Sequence, residues 1–381
     1  MSNTIQFIRL GMLGGGQLGR MLLQKAADFD LRIAVLDPDP EAPCRYLCEE
    51  FVCGNFRDYQ TVYDFGKKCD LMTIEIEHVN TEALFQLQKE GVKIHPSPEI
   101  IQLVQDKGLQ KEFYKKHSIP TADFVLIENK SEISKHSSGF PWMQKLRKGG
   151  YDGKGVQPLK SATDLTAAFD APSILEKMIP FTKEIAVIVS RNDKGDVACF
   201  PSVEMEFNPE ANLVEFLSSP AHISKAVEEK AESIATHLAN ELKLVGVLAV
   251  EFFLTANDEL LVNEIAPRPH NSGHQTIEGN ITSQYEQHLR AIYGMPLGNT
   301  SIVKPSVMIN LLGEKNYSGN VLYEGMDEAL KIPGVHVHLY GKKITKPFRK
   351  MGHVTVVNDS AAEAHRIARK LLSNIRVIAQ S

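Results

Sequence analysis

Short apolar runs separated by glycine turns open the chain. "IQFIRLGML" reads as a strand, "GGGQLGRMLLQKAADF" as a glycine turn entering a helix, and "LRIAVLD" as a second strand ending at Asp37. "CDLMTIEIE" repeats the strand pattern, and "HPSPEI" with "IQLVQDKGLQKEFYKKH" reads as a loop and then helices. This order predicts a doubly wound α/β unit closing near residue 105. From Ile119 the strands shorten, and the polar "ENKSEISKHSSG" reads as a loop or helix edge.

The middle of the chain has α+β texture. Two β-rich runs flank the turn residues Asn192 to Asp196, and "SKAVEEKAESIATHLANEL" places alanine and leucine at helical spacing, as a helix covering a sheet would. In "VGVLAVEFFLTANDELLVNEIAPRPHNSGH" two apolar runs flank "TAND", predicting an antiparallel hairpin. The last eighty or so residues alternate short strands and turns before a closing helix, "SAAEAHRIARKLLSNI".

The 381 residues exceed what a single core usually supports, so two or three domains are expected. A net charge of −5 argues against a nucleic-acid partner, and any anion site must be local. No apolar run is long enough to span a membrane, and no secretory leader is recognisable. The five cysteines are odd in number and lack CxxC spacing, which predicts free thiols and a cytoplasmic location.

Four segments carry candidate chemistry. "GGGQLG" fits GxGxxG through Gly14, Gly16 and Gly19, with Asp37 following at a dinucleotide-like distance. A phosphate or substrate cradle, a bare turn and an NAD site all remain open for it, the last being the route to an oxidoreductase. In "RKGGYDGKG" glycines allow backbone N–H groups to fold around triphosphate oxygens, and Lys148 and Lys154 add charge. Upstream, Lys145 stands among apolar neighbours and must meet an anion or a paired acid.

The 246–266 hairpin brings acids together. With a four-residue loop Glu251 faces Glu264, and with five it faces Asn263. Facing carboxylates repel, and Mg²⁺, which takes oxygen ligands and keeps phosphate and water in its shell, would resolve this. "APRPHNSGH" then supplies Arg268 as an anion holder and His270 or His274 as proton exchangers, with a core histidine the alternative for His274. "YGKKITKPFRKMGH" is basic throughout, as a solvated tip or a phosphate contact.

In this order "GGGQLGRML", "GGYDGKG", "VNEIAPRPHNSGH" and "FRKMGH" resemble the ATP-grasp superfamily and, within it, the 5-(carboxyamino)imidazole ribonucleotide synthetases, over nearly the whole chain. The resemblance implies a three-domain ATP-grasp fold, mixing α/β and α+β, whose Rossmann-like first unit is of the biotin carboxylase N-terminal kind. Residues 1–105 would form that unit, 106–190 the central subdomain with its glycine-rich lid, and 191–381 the rest. Within the last, 191–300 would carry the metal hairpin and 301–381 a small β-rich segment.

By the same resemblance Lys107, Lys145 and Gly150, Tyr151, Asp152, Gly153, Lys154, Gly155 and Val156 would meet the phosphates of ATP. Glu176, Lys177, Met178 and Ile179 would meet adenine and Glu184 the ribose. Glu251 and Glu264, aided by Asn263, would hold magnesium, with manganese as a substitute. Arg268, His270 and Lys350 would be catalytic around bicarbonate. Gln17, Glu75, Asn271 and Arg349, with Arg268 and Lys350, would bind 5-aminoimidazole ribonucleotide. The implied assembly is a homodimer and the implied product a carbamate made through carboxyphosphate. Two departures stand out: many members have arginine where Lys107 stands and histidine where Phe207 aligns.

Overall fold

A computed structural model describes residues 8–150, 155–208 and 213–380. Its first layer is a five-stranded parallel sheet whose spatial order is Glu50–Cys53, Ile33–Asp37, Leu10–Leu13, Leu71–Ile74, Lys93–Ile94. The strands Leu10–Leu13 and Leu71–Ile74 are buried throughout, which is why they read as unbroken apolar runs. The chain leaves Leu10–Leu13 for one neighbour and later returns on its other side. The glycine turn after Leu13 and the segment after Ile74 therefore meet at the carboxyl ends of adjacent strands, where open α/β sheets bind ligands.

A four-stranded antiparallel sheet follows, ordered Phe124–Ile127, Ser173–Lys177, Trp142–Leu146, Val156–Leu159. "RKGGYDGKG" is the tip of its Trp142–Leu146/Val156–Leu159 hairpin. Lys145 pairs with Val156, and Gly155, at φ +75°, accepts from the Leu146 amide at 2.9 Å. A Cβ on Gly155 would lie 3.2 Å from the Gly150 Cα, so the neck of the loop closes backbone to backbone. Tyr151, Asp152, Gly153 and Lys154 lie outside the described residues.

The largest layer is a nine-stranded antiparallel sheet running Leu260–Ala266, Gly246–Thr255, Phe181–Arg191, Val203–Asn208, Leu213–Ser219, Ser306–Leu312, Lys350–Val357, Val335–Leu339, with Val197–Cys199 beside Phe181–Arg191. It continues unbroken past residue 300, so Lys350 belongs to the same sheet as Glu251 and Glu264. The helix Lys225–Glu241 seals one end through Ala231, Ala235 and Leu238, and Ala361–Asn374 seals the other through Ala364, Ala368 and Leu371. Among the described residues no helix is long and apolar enough to cross a membrane, and all five cysteines are free thiols.

Asp106 shows how local chemistry holds two of these layers together. It caps the helix Lys107–Lys116 by accepting from the Gly108 and Leu109 amides, and it takes a two-pronged bond from Arg147, 2.9 Å on each prong. Burial alone would raise its pKa, but Arg147 and the two amides outweigh it and hold the carboxyl below its ordinary value. That stabilisation is present above the unfolded value near ~4 and is lost as pH falls through the lower folded value. Asp106→Ala is expected to cost about 2–4 kcal/mol in urea unfolding at pH 7, and less below pH ~3.

Candidate active site

The acidic hairpin departs from simple alternation. At its tip Leu254 faces Leu260 and Phe252 faces Val262, the register of the five-residue loop, which would set Glu251 against Asn263. A β-bulge at Asn263 then adds one residue, and Glu251 faces Glu264 after all. Asn263 and Glu264 thereby both line the same cleft, which is what a bulge beside a site achieves by re-aiming a side chain.

That cleft encloses about 390 Å³ between the four-stranded and nine-stranded sheets. Lys107, Lys145, Val156, Glu176 to Ile179, Glu184, Glu251, Asn263, Glu264, His270, Asn271 and Lys350 all line it. One end is apolar, walled by Met143, Ile179, Met205, Leu213 and Phe253, with the Phe181 and Phe253 rings stacked at 4.7 Å. A planar base fits such a slot. Sequence reasoning missed Met143, Met205 and Phe253 because alternating apolar residues in strands signal core, and only the cleft distinguishes them.

The opposite end is charged. Lys107 Nζ lies 2.7 Å from Glu264 Oε2, and Lys145 donates to Asn263 Oδ1 at 3.0 Å while pairing with Glu176 Oε2 at 2.5 Å. Lys107 holds Glu264 below the usual carboxylate range. Burial, then the charges of Glu264 and Glu184, push Glu251 up. Glu184, on the neighbouring strand, is raised by burial to about 7, and Lys145 only partly offsets this. Lys177 turns its ammonium to the Gly139 carbonyl and over the Trp142 ring, 4.7 Å from its centroid.

The wall beyond is built on "APRPHNSGH". Arg268 Nη2 lies 2.7 Å from Glu77 Oε1. The Gln284 amide clamps both main-chain groups of His270. The His270 ring takes Ser272 Oγ at Nδ1, 2.9 Å away, and burial with Arg268 nearby lowers its pKa to about 4, so it is neutral near pH 7. Asn271 Nδ2 is buried with no protein partner among the described residues. His274 is the core histidine of the two readings: 1% exposed, bonded to Tyr285 Oη and stacked on His353.

Glu75 lies outside the cleft, against the glycine turn that leads into Gln17. Glu75 Oε1 accepts from the Leu18 amide at 3.2 Å, and burial raises Glu75 to about 7 although Arg268 and Lys342 pull it down. Arg349 is not brought to the cleft, since its Nη1 turns back to the Ile344 carbonyl at 2.6 Å. Lys342 in the same basic segment acts on Glu75 instead, and donates to the Lys350 carbonyl at 2.8 Å. Lys342 and Glu77 were legible only as part of a basic run and an acidic strand end.

Comparison with known proteins gives the same picture. Residues 112–285 match the ATP-grasp domain, 7–105 the ribonucleotide synthetase preATP-grasp domain, and 306–367 the phosphoribosylaminoimidazole carboxylase C-terminal domain. The crystal structure of N5-carboxyaminoimidazole ribonucleotide synthetase from Thermotoga maritima is 42% identical, with a TM-score of 0.91 over 98% of this chain and 100% of that one.

The chain belongs to the N5-carboxyaminoimidazole ribonucleotide synthetases.

These are ATP-grasp enzymes of purine biosynthesis, so the chain is an ATP-dependent enzyme with the three-domain fold expected. The Bacillus subtilis synthase is 36% identical over 93% of this chain and 92% of its own length. An Aspergillus clavatus synthase crystallised with ADP and 5-aminoimidazole ribonucleotide is 35% identical, with a TM-score of 0.89 covering 97% of this chain and 99% of that one. Longer relatives named phosphoribosylaminoimidazole carboxylase are spanned over about two thirds of their length, 68% for Ogataea methanolica at 39% identity and 64% for Vigna aconitifolia.

Membership in this family excludes the nicotinamide reading of GxGxxG, and the geometry gives the reason. Asp37 takes the Gly15 amide at 2.7 Å and the Asp39 amide at 2.8 Å, bracing the turn from both of its oxygens. The helix N-terminus that would take a pyrophosphate already faces Glu75. Of the family departures, Lys107 serves as a point charge on Glu264, and Phe207 lines the cleft as an apolar wall.

Proposed function

We propose that this cleft carboxylates the exocyclic amine of 5-aminoimidazole ribonucleotide through carboxyphosphate, consuming ATP and bicarbonate. The observation that carries the reading is one cleft lined by an apolar base slot, by Lys145 and Lys107, by the Glu251/Glu264 pair and by His270 and Lys350, with Arg268 two residues before His270 and paired to Glu77. The Aspergillus complex with ADP and the imidazole nucleotide supports both ligands.

Adenine enters the slot formed by Met143, Ile179, Met205 and Phe253, against the main chain of Lys177 to Ile179, and Glu184 takes the ribose hydroxyls. Lys107, Lys145 and the loop Gly150 to Val156 receive the phosphates. The residues fit a hard dication: Glu251 and Glu264 converge, burial and then the charge of Glu264 raise Glu251, and Asn263 adds an amide oxygen. Two carboxylates and an amide oxygen would leave the remaining positions of an octahedral shell to phosphate and water, as Mg²⁺ or Mn²⁺ takes them. When bound, such an ion neutralises developing charge on the transferred phosphoryl group.

Bicarbonate needs activation because its charge is delocalised over its oxygens. A bicarbonate oxygen attacks the γ-phosphorus and ADP leaves. The substrate amine then attacks the carboxyl carbon, phosphate leaves, and the amine gives up a proton. Arg268 and Lys350 hold the anions in line, and neutral His270 can hydrogen-bond without adding charge. Arg268, Glu75, Gln17 and Asn271 form the side of the site facing the imidazole nucleotide. The loop Arg147 to Gly155 excludes water from carboxyphosphate, tethered at Arg147 by Asp106. Free cysteines support a reducing, cytoplasmic setting.

The test is acceptor dependence. ADP release is expected to require bicarbonate and to rise at least about tenfold on adding 5-aminoimidazole ribonucleotide. Release indifferent to that nucleotide but stimulated by another amine would assign a different acceptor.

A further inference from the structure

Glu176 is 2% exposed, yet its carboxylate meets two ammonium groups. Lys145 lies 2.5 Å from Oε2, and Lys111 bonds Oε1. Lys111 is itself 2% exposed, one helical turn beyond Lys107 on the helix Lys107–Lys116, so both lysines leave the same helix face. Its Nζ also reaches Thr121 Oγ1 at 2.5 Å and lies over the Tyr114 ring, 5.7 Å from the centroid. Thr121 in turn donates to the Val262 carbonyl at 2.7 Å, the residue before the Asn263 bulge. One buried cation thus ties the end of the base slot to the strand carrying Glu264.

The three groups Lys111, Glu176 and Lys145 sum to one positive charge when ionised, and the share carried by Lys145 also bears on Glu184 and Glu264 across the cleft. The two lysines are not equivalent. Lys145 lines the cleft and extends to Asn263, while Lys111 is set behind the wall and has no exposure to it. Only Lys145 can turn to a ligand, and Glu176 then keeps a partner. Both lysines hold Glu176 ionised against its burial, and burial lowers Lys111 to about 8.

We propose that Lys111 is a positioning residue, the standing counter-ion of Glu176 that frees Lys145 to engage the triphosphate. This rests on the reading that Lys145 meets the phosphates. Without Lys111 the buried Glu176 carboxylate would keep Lys145 as its one directly paired ammonium among the described residues, with Lys107 bearing on it only through its charge, and nucleotide would have to compete for Lys145. The role is specific to nucleotide, because the imidazole nucleotide's side of the site lies around Arg268 and Glu75, with which Lys111 has no contact.

Initial rates and calorimetric titration with ATP and magnesium test it. Lys111→Met is expected to raise the KM for ATP about tenfold or more while leaving that for 5-aminoimidazole ribonucleotide within about twofold. Combined with Glu176→Gln, which removes the charge to be balanced, it is expected to bind ATP within about threefold of Glu176→Gln alone. An unchanged ATP KM in Lys111→Met, equal rises for both substrates, or multiplying losses in the double variant would overturn the proposal. Lys111→Gln, which can still bond Thr121, replaces the methionine variant should that one not fold, with the same tenfold expectation. Failure of both to fold would assign Lys111 to stability alone. Lys145→Met separates the two levels: wild-type ATP affinity there would remove the phosphate reading itself, whereas weak binding there beside a normal Lys111→Met would remove only the counter-ion role.

Discussion

Glu264→Gln is expected to lower kcat by about 10³-fold or more with little change in thermal stability. The substitution keeps the side chain's volume and one oxygen but removes the charge that Lys107 now balances at 2.7 Å. It also removes the neighbour that helps push Glu251 up, so the pair loses a repulsion as well as an attraction and folding should be nearly unaffected. What is lost is the anionic oxygen that faces Glu251 across the bulge, hence the site for a dication. Steady-state rates across a magnesium titration, with a melting curve beside them, decide it. Turnover within tenfold of normal at ordinary magnesium would remove the metal assignment, and a large fall in melting temperature would mean a structural role.

Arg268→Met should cut kcat by about 10²–10³-fold while the KM for ATP stays within about threefold. Arg268 is held by Glu77 at 2.7 Å, and its guanidinium also bears on Glu75, so it stands where the imidazole nucleotide and the activated carboxyl would meet. Its charge is not part of the base slot or the phosphate end, which is why nucleotide affinity should survive. Positional isotope exchange in labelled ATP gives the finer reading: exchange retained with product lost would place Arg268 in carboxyl transfer, and both lost would place it in phosphoryl transfer. An ATP KM that rises in step with the fall in kcat would place Arg268 in nucleotide binding instead.

The residues proposed to carry this chemistry were legible through local pattern. In "GGYDGKG" Gly155 closes against Gly150, where a Cβ would be crowded, and "VNEIAPRPHNSGH" is stiffened by prolines around Arg268 and His270 near one strand end. Lys145 stood out as a cation among apolar residues and Lys107 only through the family resemblance, and both proved to be paired with acids. Lys111 was not singled out in the sequence, because nothing in its neighbourhood names Glu176, its partner 65 positions away. The Arg268–Glu77 pair was likewise invisible, because it joins the first layer to the last.

The chain's own pattern determined that a parallel βαβ unit opens it, that "TAND" turns a hairpin, and that acids and an amide cluster on that hairpin, since these depend on side-chain alternation and turn residues within a few positions. Only the folded chain decided which acid faces which, because the Asn263 bulge adds a residue that no alternation rule counts. It also decided that Lys342 rather than Arg349 bears on Glu75, and that Lys350 lies in one sheet with Glu251. Such contacts follow from strand pairings and domain packing over long sequence separations, where the energy of the whole sheet, not of any segment, fixes the partner.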